Sequence, residues 1–210
     1  VGEIITAEEA SKMSTSNSMI DVNDPLYSLQ TNITSTNIDD VWDQYTTGDG
    51  SQVIAILDTG GDYTHPDLEA NTWINEAELN GVEGYDDDGN GYIDDIRGWD
   101  FINLDNAPLD DNMHGTHVAG IAGAVGNNGI GIAGAAWDVK LMHIKVFQST
   151  GQGNSTNIAA GVEYASENGA TIINMSFGSY AESATLKTAL ENAYVTSTLV
   201  AAAGNNRIPI

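Results

Sequence analysis

Short apolar segments that alternate with helix-like segments constrain the fold of this chain more than any other feature. The apolar segments are QVIAILDTG (52–60), VKLMHIKVF (139–147), ATIINMSFG (170–178) and TLVAAAGNN (198–206). The first is a continuous apolar run, which is typical of a strand buried on both faces. Helix-like segments of about twelve residues separate the later ones. Strands that alternate with helices in this way predict an α/β fold with a mainly parallel central sheet.

Length and composition indicate one domain and exclude several classes of protein. The 210 residues are 41% hydrophobic, which is enough for a buried core. No apolar run approaches the ~20 residues of a membrane helix, so membrane insertion is not expected. The 210 residues contain no cysteine, which excludes disulfides and thiolate chemistry within them.

The two ends of the sequence carry separate expectations. Residues 1–24 are rich in Ser and Thr and weakly patterned, so we expect an N-terminal arm or the end of a pro-segment, followed by a domain over residues 25–210. The first residue is Val and no leader-like segment follows it, so we expect this chain to be a piece of a longer protein.

The charge is strongly acidic and unevenly distributed. The chain has 30 acidic residues against 6 Lys and Arg, a formal charge of −24, which argues against nucleic acid and anionic membranes as partners. Residues 1–113 hold 25 of the 30 carboxylates, and residues 114–210 hold the other 5. Such clustering favours cations bound at particular sites over a uniformly solvated acidic surface.

Three polar residues lie at the carboxyl ends of predicted strands, where open α/β sheets bind ligands. They are Asp58, Ser176 and Asn205, and His114 begins the Gly- and Ala-rich segment HGTHVAG. Each could alone be an ordinary turn or cap residue. Together they match a known chemistry, because a carboxylate can fix the tautomer of a His that deprotonates a hydroxyl, while an amide stabilises an oxyanion.

The segments DTGGDYTHPDL, HGTHVAG, INMSFG and AAAGNN resemble, in this order, the motifs of the subtilisin-like serine proteases, over roughly residues 24–206. The resemblance implies a three-layer subtilisin-like fold that is incomplete at the C-terminus, with residues 25–210 as a partial protease domain. It implies that Asp58 orients the imidazole, that His114 is the general base, and that Asn205 is the oxyanion-hole amide. His65, His117 and His143 are expected to have packing or hydrogen-bonding roles only.

The same resemblance implies a polypeptide substrate. The segment STGQGN, with Gly151 and Gly153, matches the strand edge on which an extended peptide lies as an added strand. Ser176, Phe177 and Gly178 match the opposite edge and the wall of the pocket for the residue before the scissile bond. Flexible glycine-rich loops are the alternative interpretation. The expected partners are polypeptide substrates and the protein's own pro-segment.

The nucleophile of this mechanism is absent from the 210 residues. Neither the family's Gly-Thr-Ser motif nor a Gly-x-Ser-x-Gly occurs in them. We therefore expect the Ser beyond Ile210 and no activity from this fragment alone. The alternatives are a catalytically inactive, calcium-stabilised peptide-binding module, and a nicked enzyme whose Ser fragment stays associated.

The segment DDDGNGYIDD predicts a calcium site, because it places oxygen ligands at positions one, three and five before a Gly, as in EF-hand loops. The predicted ligands are Asp86, Asp88, Asn90, the Tyr92 carbonyl, and Asp94 or Asp95. Position twelve is Arg97 instead of a bidentate Glu, so one of the last two carboxylates has to complete the shell. A solvated acidic loop is the alternative.

The resemblance implies two more calcium sites. One precedes His114, as in thermitase-like members, and its ligands are Asp100, Asn103, Asp105 and a carbonyl near Ala107. The other resembles the family's tight site, and its ligands are Asp67, the Asn128 side chain and the carbonyls of Ile130 and Ile132. Turns rich in Gly and Asn are the alternative for the second. Bound calcium would stabilise a cysteine-free enzyme that is secreted or at the cell surface.

Overall fold

The computed structural model describes residues 20–179 and 181–205. Most of the predicted N-terminal arm, residues 1–19, lies outside the described residues. The elements in chain order are α1 Thr31–Thr36, α2 Ile38–Gln44, β1 Gly48–Asp58, α3 Glu76–Leu79, β2 Gly98–Asp100, α4 His114–Gly123, β3 Asp138–Lys145, α5 Ser155–Glu167, β4 Ile172–Met175, α6 Ala184–Ala193 and β5 Thr198–Ala201. Two 3₁₀ turns lie at Tyr27–Leu29 and Glu69–Asn71.

The strands form one sheet in the order β2-β3-β1-β4-β5, and every pairing between them is parallel. The prediction of an α/β fold with a mainly parallel sheet is therefore confirmed. Strand β2 has three residues and was not predicted, since so short a segment carries no periodic pattern. All five strands end at one edge of the sheet, which collects the polar residues that follow them.

The sheet is covered by helices on both faces, which confirms the three-layer architecture. Ile54 and Ile56 of β1 pack with Ala119 of α4. The alternate residue Leu57 packs with Val162 of α5 on the opposite face. Both faces of β1 are thus removed from water, which explains its continuous apolar sequence.

Strand β5 is the outermost strand of the sheet, with a neighbour on one side only. Its residues are more exposed than those of the inner strands. A groove of about 790 Å³ runs beside it, lined by residues in and around α6 and β5 that include Leu186, Leu190, Tyr194 and Leu199. Within the described ranges, no helix is long and apolar enough to cross a lipid bilayer.

Candidate active site

Asp58 and His114 meet where β1 ends and α4 begins. The His114 Nδ1 and Asp58 Oδ1 atoms are 2.7 Å apart, and the Asp58 side chain is 2% exposed against 52% for His114. The Thr59 N–H donates to the same Asp58 oxygen at 2.7 Å. A carboxylate can only accept here, so Nδ1 carries the proton and Nε2 is left free to accept one. This is the geometry of an oriented general base.

A close backbone approach makes this contact possible. The Gly115 N–H donates to Thr59 Oγ1 at 3.0 Å, so the first turn of α4 lies directly against the turn after β1. A Cβ on Gly115 would lie 2.0 Å from the carbonyl oxygen of Gly60. The Gly of the HGTH motif is therefore required by the packing of α4 against β1, and this packing places His114 beside Asp58.

Asp110 accepts hydrogen bonds from the first turn of α4. It was not predicted from the sequence as a site residue. Its Oδ2 accepts from the Thr116 N–H at 2.8 Å and from Thr116 Oγ1 at 2.6 Å, while its Oδ1 accepts from Thr59 Oγ1 at 2.8 Å. Burial raises the pKa of Asp110, but hydrogen bonds from Thr116, Asn112 and Thr59 outweigh burial and hold that pKa below its usual value. Asp110 lies three residues before Met113, the N-cap residue of α4, so the usual capping position does not identify it in the sequence.

A cleft of about 210 Å³ lies beside the Asp–His pair. It is lined by Asp58, Thr59, Asn112, His114, Phe147, Gly151, Ser176 and Phe177. The cleft thus brings Gly151, Ser176 and Phe177 close to the Asp–His pair, and the role in substrate binding that the resemblance implies for them stays a prediction.

Aromatic side chains form part of the wall of this cleft. The rings of Phe147 and Phe177 pack edge to face with centroids 4.8 Å apart. Phe147 was not predicted as a site residue, although it lies only two residues after the end of β3. Gly153 pairs with Phe147 through an isolated antiparallel bridge, and a Cβ there would lie 2.5 Å from the Phe147 ring. Gly178 is exposed and does not line the described part of the cleft.

Asn205 lies in an exposed bend after β5. Met175 of β4 is paired with Ala201 of β5, so Asn205 and Ser176 follow neighbouring strands at the same edge of the sheet. The Asn205 side chain does not line the cleft as described, and its role at an oxyanion stays a prediction.

Three carboxylates converge in the acidic loop. Oxygens of Glu78, Asp86 and Asp88 all lie within 4.8 Å of one another. Two of these residues were predicted, whereas Glu78, which is on α3, was missed. Glu78 is 4% exposed, and its oxygens accept from the backbone N–H groups of Asp87, Asp88 and Asp94. Hard oxygen donors at this spacing suit a calcium ion.

Other predicted ligands of this loop make hydrogen bonds within the protein. Asp95 is fully buried and accepts from Tyr164 Oη at 2.6 Å and from the Asn75 and Asn90 amides. Burial raises the pKa of Asp95, and these hydrogen bonds partly offset that effect. Asp94 accepts from the Gly84 N–H. A calcium role for these residues, and for the Tyr92 carbonyl, stays a prediction.

The other two predicted calcium sites bring some of their residues together. Asp67 Oδ1 accepts from the Asn128 amide at 2.9 Å, and Asp67 Oδ2 accepts from the Ile132 N–H at 3.0 Å. The side-chain oxygen of Asn128, Oδ1, accepts from the Ile130 N–H. In the loop before His114, Asp100 is 1% exposed and accepts from the backbone and side-chain amides of Asn103, and the Asp100 N–H donates to the Asp105 carbonyl.

Comparisons with known proteins agree with this geometry. The sequence model of the Subtilase family matches residues 49–209. Subtilisin-like protease 1 of Plasmodium berghei (strain Anka) is 41% identical over 156 residues, which are 74% of this chain and 26% of that protein. Thermophilic serine proteinase of Bacillus sp. (strain AK1) is 39% identical over 173 residues, 82% of this chain and 37% of that protein.

A solved structure shows the same likeness. Sphericase aligns with a TM-score of 0.62 and 33% identity, over 82% of this chain and 53% of that one. The chain therefore spans between 26% and 53% of the length of these three proteins.

Proposed function

The chain belongs to the Subtilase family, and from this premise we propose that it is the part of a serine endopeptidase that carries the Asp and the His of the catalytic triad. The observation that carries the proposal is the 2.7 Å contact between His114 Nδ1 and Asp58 at the mouth of the cleft. The family's Gly-Thr-Ser motif is absent from the 210 residues, and we propose that the nucleophilic Ser lies in a segment of the protein outside them.

In the proposed mechanism His114 takes the proton of the Ser hydroxyl on Nε2 as the hydroxyl oxygen attacks the peptide carbonyl. The buried Asp58 carboxylate stabilises the imidazolium that forms, and the imidazolium then protonates the leaving amine. The Asn205 amide and the backbone N–H of the nucleophile hydrogen-bond the developing oxyanion. A water molecule that gives a proton to His114 Nε2 then attacks the acyl-enzyme, the carboxylic acid product leaves, and the Ser oxygen takes the proton back from His114.

We propose an extended polypeptide as the substrate. The segments that contain Gly151 and Ser176 both line the cleft, and in this proposal a peptide enters between them as an added strand held by backbone hydrogen bonds. The apolar wall of Phe147 and Phe177 would contact the substrate's side chains.

We also propose that calcium stabilises the fold of this enzyme, which acts outside the cell or at its surface. Glu78, Asp86 and Asp88 would hold one ion, and sites at Asp67 and Asp100 would hold others. An ion that binds only the native state raises the free energy of unfolding. The 210 residues contain no cysteine, so disulfides within them cannot provide this stabilisation.

The test uses the full-length protein and an unstructured substrate such as casein. We expect hydrolysis that a serine-reactive phosphonate blocks, and that His114→Ala abolishes. The matched control is His117→Ala, because His117 is exposed on α4 and does not line the cleft. Purified full-length protein that neither cleaves casein nor reacts with the phosphonate would refute the proposal.

The alternative is a catalytically inactive, calcium-stabilised module that binds peptides, and the absence of a nucleophile motif from the 210 residues favours it. Sequencing the coding region after Ile210 separates the two. A Gly-Thr-Ser motif there supports the enzyme. A protein without it that still binds an extended peptide supports the module.

A further inference from the structure

A buried lysine lies beside Asp58, and the mechanism above does not use it. Lys145 is the last residue of β3, and in the parallel pair of β1 and β3 it is directly opposite Asp58. Its side chain is 2% exposed. A buried ammonium is strongly disfavoured unless charged or polar groups compensate it, so its partners at this position require an explanation.

The partners of Lys145 lead directly to the catalytic pair. Its Nζ donates to the carbonyl oxygen of Thr59 at 2.6 Å and to Asp111 Oδ1 at 2.6 Å. The Thr59 N–H donates to the same Asp58 oxygen that contacts His114. Lys145 therefore hydrogen-bonds the backbone carbonyl of Thr59, and the backbone N–H of the same residue hydrogen-bonds Asp58.

The second partner of Lys145 belongs to the segment that carries the His. Asp111 lies in the loop that enters α4, shortly before His114, and is 52% exposed. One ammonium thus joins the turn after β1 to the loop before α4. These two segments carry Asp58 and His114, and the ammonium restrains the distance between them.

We propose that Lys145 is a positioning residue of the catalytic pair: by joining the Thr59 carbonyl to the Asp111 carboxylate, it fixes Asp58 relative to His114. Its ammonium also forms an ion pair with the Asp111 carboxylate, which is its only charged partner among the described residues. The catalytic consequence rests on the proposed protease function. A displacement of about 1 Å between such groups costs up to ~100-fold in rate, so the expected effect is on kcat and not on substrate affinity.

The experiment compares three lysine variants of the full-length protein. Lys145→Met keeps the length of the side chain without its charge, and Lys145→Arg keeps a charged donor. Lys187→Met is the matched control, because Lys187 is 75% exposed on α6. We expect Lys145→Met to lower kcat about tenfold or more with KM within about twofold, Lys145→Arg to recover most of the loss, and Lys187→Met to have no effect.

A second readout does not require peptide hydrolysis. The proton between His114 Nδ1 and Asp58 gives a low-field NMR signal, which we expect Lys145→Met to shift or abolish in protein that remains folded. If the full-length protein without any substitution cleaves no peptide, the proposed function fails. The low-field NMR signal of the His114 proton still decides the role of Lys145 in that case. An unaltered signal and kcat in a folded Lys145→Met protein would show a purely structural lysine and overturn the proposal.

A further variant decides the case if Lys145→Met does not fold. Asp111→Ala changes a half-exposed side chain and leaves Lys145 in place with the Thr59 carbonyl alone. We expect Asp111→Ala to lower kcat and to shift the low-field NMR signal of the His114 proton, as Lys145→Met does. Wild-type kcat and an unmoved signal in Asp111→Ala would also overturn the proposal.

Discussion

Acidification should destabilise this fold through His143. His143 lies within β3 and is fully buried, and neither of its ring nitrogens has a hydrogen-bond partner among residues 20–179 and 181–205. Burial disfavours the imidazolium and lowers the pKa of His143 from 6.5 to about 4, although the carboxylates of Asp110 and Asp62 oppose this effect. The ring of Tyr63, with its centroid 6.1 Å away, forms part of the enclosure.

The size of the effect follows from the two pKa values. Folded His143 is the weaker base, so below pH 6.5 the unfolded chain binds a proton that the folded chain does not. Each pKa unit of difference corresponds to 1.36 kcal/mol, so the fall from 6.5 to about 4 corresponds to about 3 kcal/mol. The free energy of unfolding should be insensitive to His143 above pH 6.5 and should decrease progressively between pH 6.5 and about 4.

The assay is urea unfolding at a series of pH values and a fixed calcium concentration. The comparison is with His143→Leu, which removes the titrating group and leaves every carboxylate in place. Between about pH 7.5 and pH 4.5 we expect the unchanged protein to lose roughly 2 to 3 kcal/mol more than His143→Leu. Parallel pH profiles for the two proteins would refute the reasoning, because they would mean that folded His143 accepts a proton freely.

Three further predictions concern the site and its supports. In full-length enzyme, Asp58→Asn should lower kcat by about 10⁴, because an amide at this position favours the wrong His114 tautomer; a loss below tenfold in steady-state assays would contradict this. Gly115→Ala should lower the free energy of unfolding by about 1–3 kcal/mol in urea titrations, because the added Cβ meets the Gly60 carbonyl. Gly178→Ala should leave the free energy of unfolding unchanged, since no described atom lies within 4 Å of the added Cβ. Glu78→Gln should reduce the rise in Tm that calcium produces in calorimetry, while Glu76→Gln, on the exposed side of α3, should not. If calcium raised the Tm of both variants equally, Glu78 would not be a ligand of the site.

The sheet could be predicted from the sequence because its signals are local, whereas the pairing of Asp58 with His114 is implied by the resemblance of DTGGDYTHPDL and HGTHVAG to the subtilisin-like motifs. Four of the five strands coincide with apolar segments, and β1 ends at Asp58, as its run of apolar residues indicates. Once parallel strands are assigned, the residues that follow them share one edge of the sheet. The pairing of β2 with β3 has no such signal, because three residues bury too little surface to leave a pattern.

The role of Glu78 could not be predicted in the same way, because it depends on how the acidic loop returns to α3. The loop folds so that the N–H groups of Asp87 and Asp88 donate to Glu78, and this brings Asp86 and Asp88 to its carboxylate. In the sequence Glu78 is one of several acidic residues in a short amphipathic segment. Only the position of the loop in three dimensions distinguishes it from its exposed neighbour Glu76.

His143 and Lys145 show how one strand can hold two buried bases with different functions. They are two residues apart on β3, so their side chains lie on the same face of the sheet, the face that α4 covers. His143 is enclosed within the strand, where no described group bonds to its ring, and burial favours its neutral form. Lys145 ends the strand, where the Thr59 carbonyl and the Asp111 carboxylate reach its ammonium. Among the described residues, a cation at the carboxyl end of β3 therefore has hydrogen-bond partners that a cation at His143 lacks, and that end is beside Asp58.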